Sequence, residues 1–283
     1  MIKNILIIAI AIIFTCVLIV TYVYHQATKI PDNNAATISL SAIDSSKKIV
    51  VFMGDSITHG AVSYDYVRAL SLDPDLQNYI FVNEGINSQL VYNLSKKINR
   101  VINIKPHYIY ILIGTNDLRA NLSDEEFKRF DALWKLPVKP TEAWFEDNYK
   151  KLIDILKEKT AAHITLISIP PLGENLDSLP FKKAIEYSQL IKNIARLKKV
   201  GYIGFNEVLT DQIVTRGKKD ISAYKLDKWY MYMAILSKYM FLNDWDNISD
   251  DRGLLFLTDN LHLNGRGGKI LVSKIKENLI SKD

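Results

Sequence analysis

Cysteine and clustered charge are both scarce in this sequence. The single cysteine, Cys16, lies inside the apolar N-terminus, so the rest of the 283 residues can form no disulfide and no cysteine-based metal site. The formal net charge is +5, yet no block of five or more like charges occurs. A nucleic-acid surface is therefore not expected, and a weak attraction to an anionic membrane is the most that the charge supports.

Several recurrent signatures are missing as well. The chain has no internal repeat, no His-Glu-x-x-His run and no glycine-rich loop of the kind that cradles phosphate. What is present is a globular composition, with 48% hydrophobic and 24% charged residues. That composition allows a full core, and α/β folds of this length are commonly one unit.

The N-terminus carries a long apolar run. Residues 5–24 form an uncharged stretch of twenty residues, which matches the ~20 needed to span a membrane and exceeds the ~7–15 of a cleavable signal core. No small-x-small cleavage site follows it, and Cys16 lacks the small residue that precedes a lipobox cysteine. We therefore expect an uncleaved signal anchor at 1–26, a polar linker at 27–47 and a domain at 48–283 outside the cytoplasm. Secretion after signal cleavage is the alternative.

From residue 48 onward, strand and helix patterns alternate. Strands that are apolar throughout and separated by helices indicate a parallel sheet that is covered on both faces. The predicted strands are Ile49–Met53, Tyr79–Asn83, Tyr108–Ile113, Ile164–Ile169 and Tyr202–Phe205. The predicted helices are Tyr64–Leu72, Gln89–Ile104, Glu142–Lys159, Phe181–Lys199 and Gly267–Ile280.

Two segments interrupt this alternation. Residues 118–140 contain several aromatic residues and two prolines. Residues 217–257 are dense in aromatic residues and methionine, which fits either a helix that packs on the core or a lid or apolar wall beside an active site, in contact with lipid. The aromatic content does not separate these two interpretations. The residues concerned are Tyr224, Trp229, Tyr230, Met231, Tyr232, Met233, Tyr239, Met240, Phe241 and Trp245.

The segment 49–60, Ile-Val-Val-Phe-Met-Gly-Asp-Ser-Ile-Thr-His-Gly, holds a candidate nucleophile, Ser56. An apolar strand ends there, and the crevice outside the carboxyl ends of parallel strands is where ligands bind. Taken alone, Gly-Asp-Ser is more simply an ordinary turn. A catalytic serine also needs a base, a group that orients the base and donors for an oxyanion.

Two further strand ends carry candidate oxyanion-binding groups. Gly85 follows the second strand, where glycine lets the backbone turn sharply and bring its N–H close to a ligand, although a plain turn glycine is the simpler interpretation. Asn116 follows the third strand, where it either caps the next segment or aims its amide into the crevice. Because the three strand ends lie side by side, we expect Ser56, Gly85 and Asn116 to converge.

Asp259 and His262 supply a candidate base with its orienting group. At a spacing of three, a helical turn places both on one side, so the carboxylate accepts from one imidazole nitrogen and leaves the other free. The other histidines fit less well. His59 has no nearby acid and is expected to line the pocket, while His107 and His163 each start a strand and are expected to point to solvent.

These segments, taken in order, follow a known pattern. Gly54–Gly60, Gly85, Gly114–Asp117 and Asp259–His262 resemble the four signature blocks of the SGNH hydrolases, the GDSL-type esterases and lipases. The resemblance covers roughly residues 48–280. The first, third and last blocks match the family pattern fully, whereas in the second many members have a further glycine near Ser88.

The resemblance implies both a fold and a set of roles. The fold is a three-layer α/β/α sandwich that resembles flavodoxin, here with a parallel five-stranded sheet behind the N-terminal membrane helix. Ser56 would be the nucleophile, His262 the general base and then acid, and Asp259 its orienting partner. The Ser56 and Gly85 N–H groups and the Asn116 amide would form the oxyanion hole. No metal and no cofactor are implied, and the Gly-x-Ser-x-Gly elbow of α/β-hydrolases is missing.

Three functions remain open at this point. The leading one is an outward-facing, membrane-attached ester hydrolase that acts on a lipid, lysophospholipid or other small acyl ester, a thioester or an acetylated glycan; the aromatic residues of 217–257 favour an acyl chain. The second is an envelope polysaccharide O-acetyltransferase that uses the same site. The third is a non-catalytic scaffold, which is disfavoured because Ser56, Asp259 and His262 are all present. The expected partners are a small-molecule or lipid ester and the membrane.

Overall fold

The computed structural model describes residues 2–38, 44–217 and 228–282. In these ranges the strands are β1 (Lys48–Gly54), β2 (Tyr79–Gly85), β3 (Tyr108–Leu112), β4 (His163–Ile167) and β5 (Gly201–Ile203). The helices are α1 (Ile2–Thr28), α2 (Ser56–His59), α3 (Tyr66–Ser71), α4 (Val91–Asn103), α5 (Thr115–Leu122), α6 (Asp124–Trp134), α7 (Glu142–Lys159), α8 (Leu179–Lys198), α9 (Phe205–Arg216), α10 (Lys228–Met240), α11 (Trp245–Asp250) and α12 (Gly265–Ile280).

The sheet has the strand order β2-β1-β3-β4-β5, and every neighbouring pair is parallel. This is the order of flavodoxin-like sheets, so the predicted five-stranded α/β fold is confirmed. In the register, Gly54 lies opposite Gly85 of β2 and opposite Leu112 of β3. The carboxyl ends of three adjacent strands are therefore level at one edge of the sheet.

Strand β1 shows how the sheet divides the core into two layers, because successive side chains of a strand point to opposite faces. Val51 and Met53 belong to the apolar cluster that includes α4, α7 and α8. Val50 and Phe52 belong to the cluster that includes α3, α9 and α12. All four are buried, and burying such a side chain stabilises the fold by about 1.5–3 kcal/mol. Both faces thus contribute to the three-layer sandwich.

Helix α1 stands outside this sandwich over most of its length. Its apolar stretch has a mean hydropathy of 3.0 and no buried residues, so by length and composition it can cross a membrane. That property fits a signal anchor or a signal peptide. The last turns of α1 contact the domain, where Val23 and Ala27 cluster with Val62 and with Ile235 of α10.

The residues that follow α1 lie along the outer edge of β2. The Asn33 side chain donates to the Phe81 carbonyl at 3.0 Å, and the Asn33 carbonyl accepts the Asn83 N–H at 3.0 Å. The Ala35 N–H donates to Glu84 Oε1 at 2.8 Å. The two Asn33 bonds occupy backbone groups of β2 that an edge strand otherwise leaves unpaired. Together, the three bonds hold the segment after α1 against β2. Residues 39–43 of the predicted linker lie outside the described ranges.

Candidate active site

Ser56 is the first residue of helix α2, directly after β1. Asp55 caps this helix, since its Oδ1 accepts the Ile57 N–H at 2.9 Å. Glycine is required at position 54, where a Cβ would lie 2.5 Å from the Leu112 carbonyl oxygen of β3. The tight strand-to-helix turn therefore presents the Ser56 hydroxyl at the level edge of the sheet, with the Ser56 N–H at a helix N-terminus.

The structure brings Ser56, His262 and Asp259 together. Ser56 Oγ lies 2.9 Å from His262 Nε2, and His262 Nδ1 lies 2.7 Å from Asp259 Oδ2. The exposed fractions of the three residues are 8%, 2% and 7%. When Nδ1–H donates to the carboxylate, Nε2 is left to accept the serine proton. This is the arrangement of a nucleophile, a base and an orienting acid.

Asp259 is held in its ionised form. Burial by itself raises the pKa of this carboxyl, but the facing His262 ring and two backbone donors outweigh burial and bring the pKa below its ordinary value. The backbone donors are the Leu261 N–H at 3.1 Å and the His262 N–H at 2.8 Å. The same bonds fix the direction of the carboxylate toward the imidazole.

The loop that carries Asp259 and His262 corrects one expectation, because it is not a helical turn. It is a bend closed by an isolated antiparallel bridge between Leu257 and Leu263, and Asn260 has a φ of 67°. The two side chains share a side because the backbone folds back on itself between them, not because of helical periodicity.

Glu174 fixes the start of this loop, and sequence reasoning missed it. Its carboxylate accepts the N–H groups of Leu255, Phe256 and Leu257 at 2.6, 2.7 and 3.0 Å. Burial raises the pKa of Glu174, while the three donors and Arg216, 3.8 Å away, oppose that shift. The donors lie 81, 82 and 83 residues away along the chain, so no local pattern marks this residue.

Gly85 and Asn116 lie at the neighbouring strand ends, and both have partners in the protein. The Gly85 N–H donates to Asn83 Oδ1 at 2.9 Å, so it is not free. Glycine is still required there, because a Cβ would lie 2.2 Å from the His59 backbone nitrogen. Asn116 Nδ2 donates to the Gln89 carbonyl at 3.0 Å, which uses one of the two amide protons and leaves the other.

The loop after β2 contains Ser88 with a φ of 61°, in the left-handed region that favours glycine. A non-glycine residue there is strained by about 1–2 kcal/mol. The Ser88 carbonyl accepts the Trp134 Nε1–H at 2.7 Å. Trp134 ends α6, which lies in one of the two segments that interrupt the predicted alternation. That segment thus holds the strained loop in place.

Asp55 and Asp117 are two more buried carboxyls, next to Ser56 and Asn116 in the chain. Burial raises the pKa of Asp117 to about 8, against the Val91 N–H that it accepts at 3.1 Å. Burial likewise raises the pKa of Asp55 to about 6. Asp117 is therefore mainly protonated at neutral pH and acts as a cap for α4, whose first residue is Val91. His59 is buried beside Ser56, and burial lowers its pKa.

A cavity of about 610 Å³ lies at the opposite, amino-terminal edge of the sheet. It is lined by residues that include Lys48, His107 and His163, and shares none with the Ser56 site. Both of these histidines are exposed, as expected for residues at strand starts. In the described ranges no three His, Cys, Asp or Glu side chains are grouped to hold a metal ion. Ligands of such sheets bind at the carboxyl ends of the strands, which favours the Ser56 site.

Comparisons with known proteins cover the same region of the chain. The model of the GDSL-like Lipase/Acylhydrolase family matches residues 52–270. An acetylxylan esterase from Geobacillus stearothermophilus aligns with a TM-score of 0.55 and 19% identity, over 82% of this chain and 94% of that chain. A mutant of an acetyl-xylooligosaccharide esterase from Geobacillus gives a TM-score of 0.57 and 19% identity, with the same coverage of 82% and 94%.

A third solved structure, the acetyl xylan esterase AlAXEase, aligns with a TM-score of 0.55 and 18% identity, over 81% of this chain and 98% of that chain. No curated protein matches the chain. At these identities the likeness to the solved structures concerns the fold.

Proposed function

The chain belongs to the GDSL-like lipase/acylhydrolase family and is an ester hydrolase, and we propose that it acts through an acyl-serine intermediate formed on Ser56. The observation that carries this proposal is the buried chain of contacts from Ser56 Oγ to His262 Nε2 at 2.9 Å and from His262 Nδ1 to Asp259 Oδ2 at 2.7 Å. A serine becomes a nucleophile when an oriented base accepts its proton.

In the proposed first step, Ser56 Oγ attacks the ester carbonyl carbon while its proton moves to His262 Nε2. Asp259 stabilises the imidazolium that results. The bond to the leaving alcohol then breaks, and His262 donates its proton to that oxygen. A water molecule next attacks the acyl-serine with His262 as the base, which releases the acid and restores Ser56.

The oxyanion that forms in each step needs donors. We propose the Ser56 N–H, at the N-terminus of α2, and the second amide proton of Asn116. Gly85 was expected to be the third donor, but this role requires its bond to Asn83 to open. The Ser88 N–H is the better candidate, since it has no partner in the described part of the chain and its neighbour Gln89 is bonded to Asn116.

We propose that the acyl group is short. Ser56 and His262 are almost fully enclosed, which leaves little room for a long chain beside the nucleophile. The structural neighbours are esterases of acetylated xylan and xylooligosaccharides, so an acetyl ester of a sugar is the first substrate to test. A lipid ester is the second, because the apolar helix α10 packs on Val62, six residues after Ser56.

We also propose that the protein is anchored by α1 with its catalytic domain outside the cytoplasm. The support is the apolar stretch of α1, which carries Lys3 at its start and is long enough to span the bilayer. Secretion after removal of α1 is the alternative. N-terminal sequencing of the mature protein separates the two.

The proposed activity is tested on the full chain in detergent micelles, with p-nitrophenyl esters from acetate to palmitate and with acetylated xylooligosaccharides. We expect the unmodified chain to have its highest kcat/KM for acetyl esters. We expect Ser56→Ala to have no activity on any ester. Ser71→Ala, at an exposed helical serine, is the matched control and should retain full activity. Activity retained in Ser56→Ala contradicts the mechanism, and an optimum at palmitate contradicts the short acyl group.

A further inference from the structure

Helix α10 is apolar on two faces. One face carries Met231, Ala234 and Ile235, which pack inward. The other face has residues at helical spacing of three and four, and they remain partly or largely exposed: Trp229, Tyr232, Met233, Leu236 and Met240. A helix on the surface of a soluble domain normally presents polar residues on its second face.

The exposed stripe continues beyond the end of α10. Trp229 and Tyr232 are 67% and 53% exposed, and Phe241 and Leu242 directly after the helix are 69% and 84% exposed. Single exposed apolar residues are common on proteins, but a continuous group of large ones marks an interaction surface.

The position of this stripe is set by α1. Val23 and Ala27 of α1 cluster with Met231, Ile235 and Tyr239 of α10. An apolar stretch of ~20 residues spans the hydrocarbon core of a bilayer, and the uncharged run of α1 ends at residue 24. With α1 anchored as proposed, this contact lies at the level where α1 leaves the membrane, and it holds α10 at that level.

We propose that the outer face of α10, together with Phe241 and Leu242, binds the surface of the bilayer that holds α1. Tryptophan and tyrosine prefer the membrane–water interface, where an apolar ring is buried and its polar group stays hydrated. The contact of α10 with α1, which holds α10 close to the membrane, selects a lipid surface over a second copy of the chain as the occupant.

This placement brings the candidate active site to the membrane. The Tyr239 hydroxyl donates to the Ala61 carbonyl at 2.5 Å, two residues after α2. On the other side, Asn87 Nδ2 donates to the Ala27 carbonyl of α1 at 2.9 Å, next to the Ser88 loop. The α1–α10 pair is thus bonded to the residues that follow α2 and to the loop that holds Ser88. Resting on the proposed function, the substrate class is an ester displayed at the bilayer surface.

Spin-label accessibility in the full chain tests the docking directly. In a Cys16→Ser background, a nitroxide is attached at Tyr232→Cys or Phe241→Cys, and at Leu197→Cys as a control of similar exposure on α8. In vesicles of phosphatidylcholine and phosphatidylglycerol, we expect sites 232 and 241 to be more accessible to oxygen than to a water-soluble nickel chelate, and site 197 to show the reverse. Equal behaviour of all three sites overturns the proposal. Spin–spin broadening at 232 and 241 that disappears on dilution with unlabelled chain also overturns it, in favour of a second copy.

A kinetic test addresses the substrate class. In the triple variant Trp229→Ser, Phe241→Ser and Leu242→Ser, we expect unchanged kcat/KM for soluble p-nitrophenyl acetate and at least a tenfold loss for an ester embedded in vesicles. The role of the surface in substrate capture is overturned if the triple variant hydrolyses both substrates as fast as the unmodified chain does. It is also overturned if the variant loses activity equally on both. Failure of the unmodified chain to hydrolyse any ester contradicts the proposed function instead, and it leaves the spin-label result standing.

Discussion

The two walls of the site are fixed in different ways. The wall with Asp259 and His262 is held by buried carboxylates, because Glu174 accepts three backbone N–H groups and Asp259 accepts two more. The wall with Ser88 is held by side chains from other segments that donate to its backbone carbonyls. Trp134, for example, donates to the Ser88 carbonyl. The first wall positions His262, the proposed proton acceptor, and proton transfer tolerates little displacement of the base. The second wall includes the strained residue Ser88, so the position of its proposed oxyanion donor depends on distant contacts.

Among variants of the two walls, the largest loss of kcat is expected on the side of the proposed oxyanion hole. Asn116→Ala removes the proposed oxyanion donor, together with the bond from Asn116 Nδ2 to the Gln89 carbonyl. We expect kcat to fall by about 10²–10³, with KM little changed. Steady-state kinetics on p-nitrophenyl acetate measure the loss. A change confined to KM would show that Asn116 binds the ground state and would remove it from the oxyanion hole.

On the other wall, Glu174→Gln tests the support of the loop that carries Asp259 and His262. The new amide can accept some of the three N–H groups but presents its own N–H₂ to the others, and an unsatisfied buried donor costs about 1–3 kcal/mol. We expect a lower Tm and a fall in kcat of several fold as His262 loses its position.

Glu207→Gln is the matched control for this variant. Glu207 accepts hydrogen bonds from Ser168 and Tyr202 and lies in α9, outside the loop that carries Asp259 and His262. The Glu207→Gln variant should have a lower Tm and an unchanged kcat. If Glu174→Gln also loses stability with unchanged kcat, the carboxylate supports the fold and not the base.

A smaller effect is expected from the buried acid Asp117, through the pH dependence of stability. Its pKa is raised to about 8 in the folded protein, whereas an unfolded aspartate titrates near ~3.9. Between these values the folded state keeps a proton that the unfolded state has lost, so the free energy of unfolding falls as pH rises through this window.

Asp117→Asn removes this proton linkage. Unfolding of wild type and variant at pH 5 and pH 9 should show a shallower decline in the variant, and Asp211→Asn, at an exposed carboxyl of α9, should decline like wild type. An unchanged slope in Asp117→Asn would mean that the carboxyl is ionised in the folded protein.

The smallest effect is expected at the strained loop. Ser88→Gly relieves a left-handed backbone conformation, worth about 1–2 kcal/mol, but glycine also adds about 0.5–1 kcal/mol of unfolded-state entropy. We expect a Tm equal to or slightly above that of the wild type and an unchanged kcat. Ser88→Ala keeps the strain and is the control. A marked loss of stability in Ser88→Gly would show that the hydroxyl, not the backbone, holds the loop.

The fold was predictable because the five strands are short apolar runs, each followed by turn residues or a helix. The boundary of the last strand was wrong: β5 ends at Ile203, and Phe205 begins α9. Phe205 was assigned to a strand by its apolar character, but it packs on the core from the first turn of a helix. Sequence pattern does not distinguish these two ways of burying a phenylalanine.

The site was predictable only where its chemistry is local. The spacing of Asp259 and His262 indicated a pair, but the folded-back loop between them depends on distant Glu174. In residues 217–257, α10 and α11 fit the helix interpretation, while the contact of α10 with α1 supports the apolar-wall interpretation. Tyr224 of that segment lies outside the described ranges.

Covalent labelling of the proposed nucleophile, Ser56, is the most direct test of the acyl-serine mechanism. The full chain in micelles is treated with a fluorophosphonate, which bonds only to an activated serine, and the adduct is located by mass spectrometry after digestion. We expect one labelled site, Ser56, with labelling lost in Ser56→Ala and strongly slowed in His262→Ala, because the proposed base no longer activates the hydroxyl. No adduct on the folded chain, or an adduct on another serine, would contradict it.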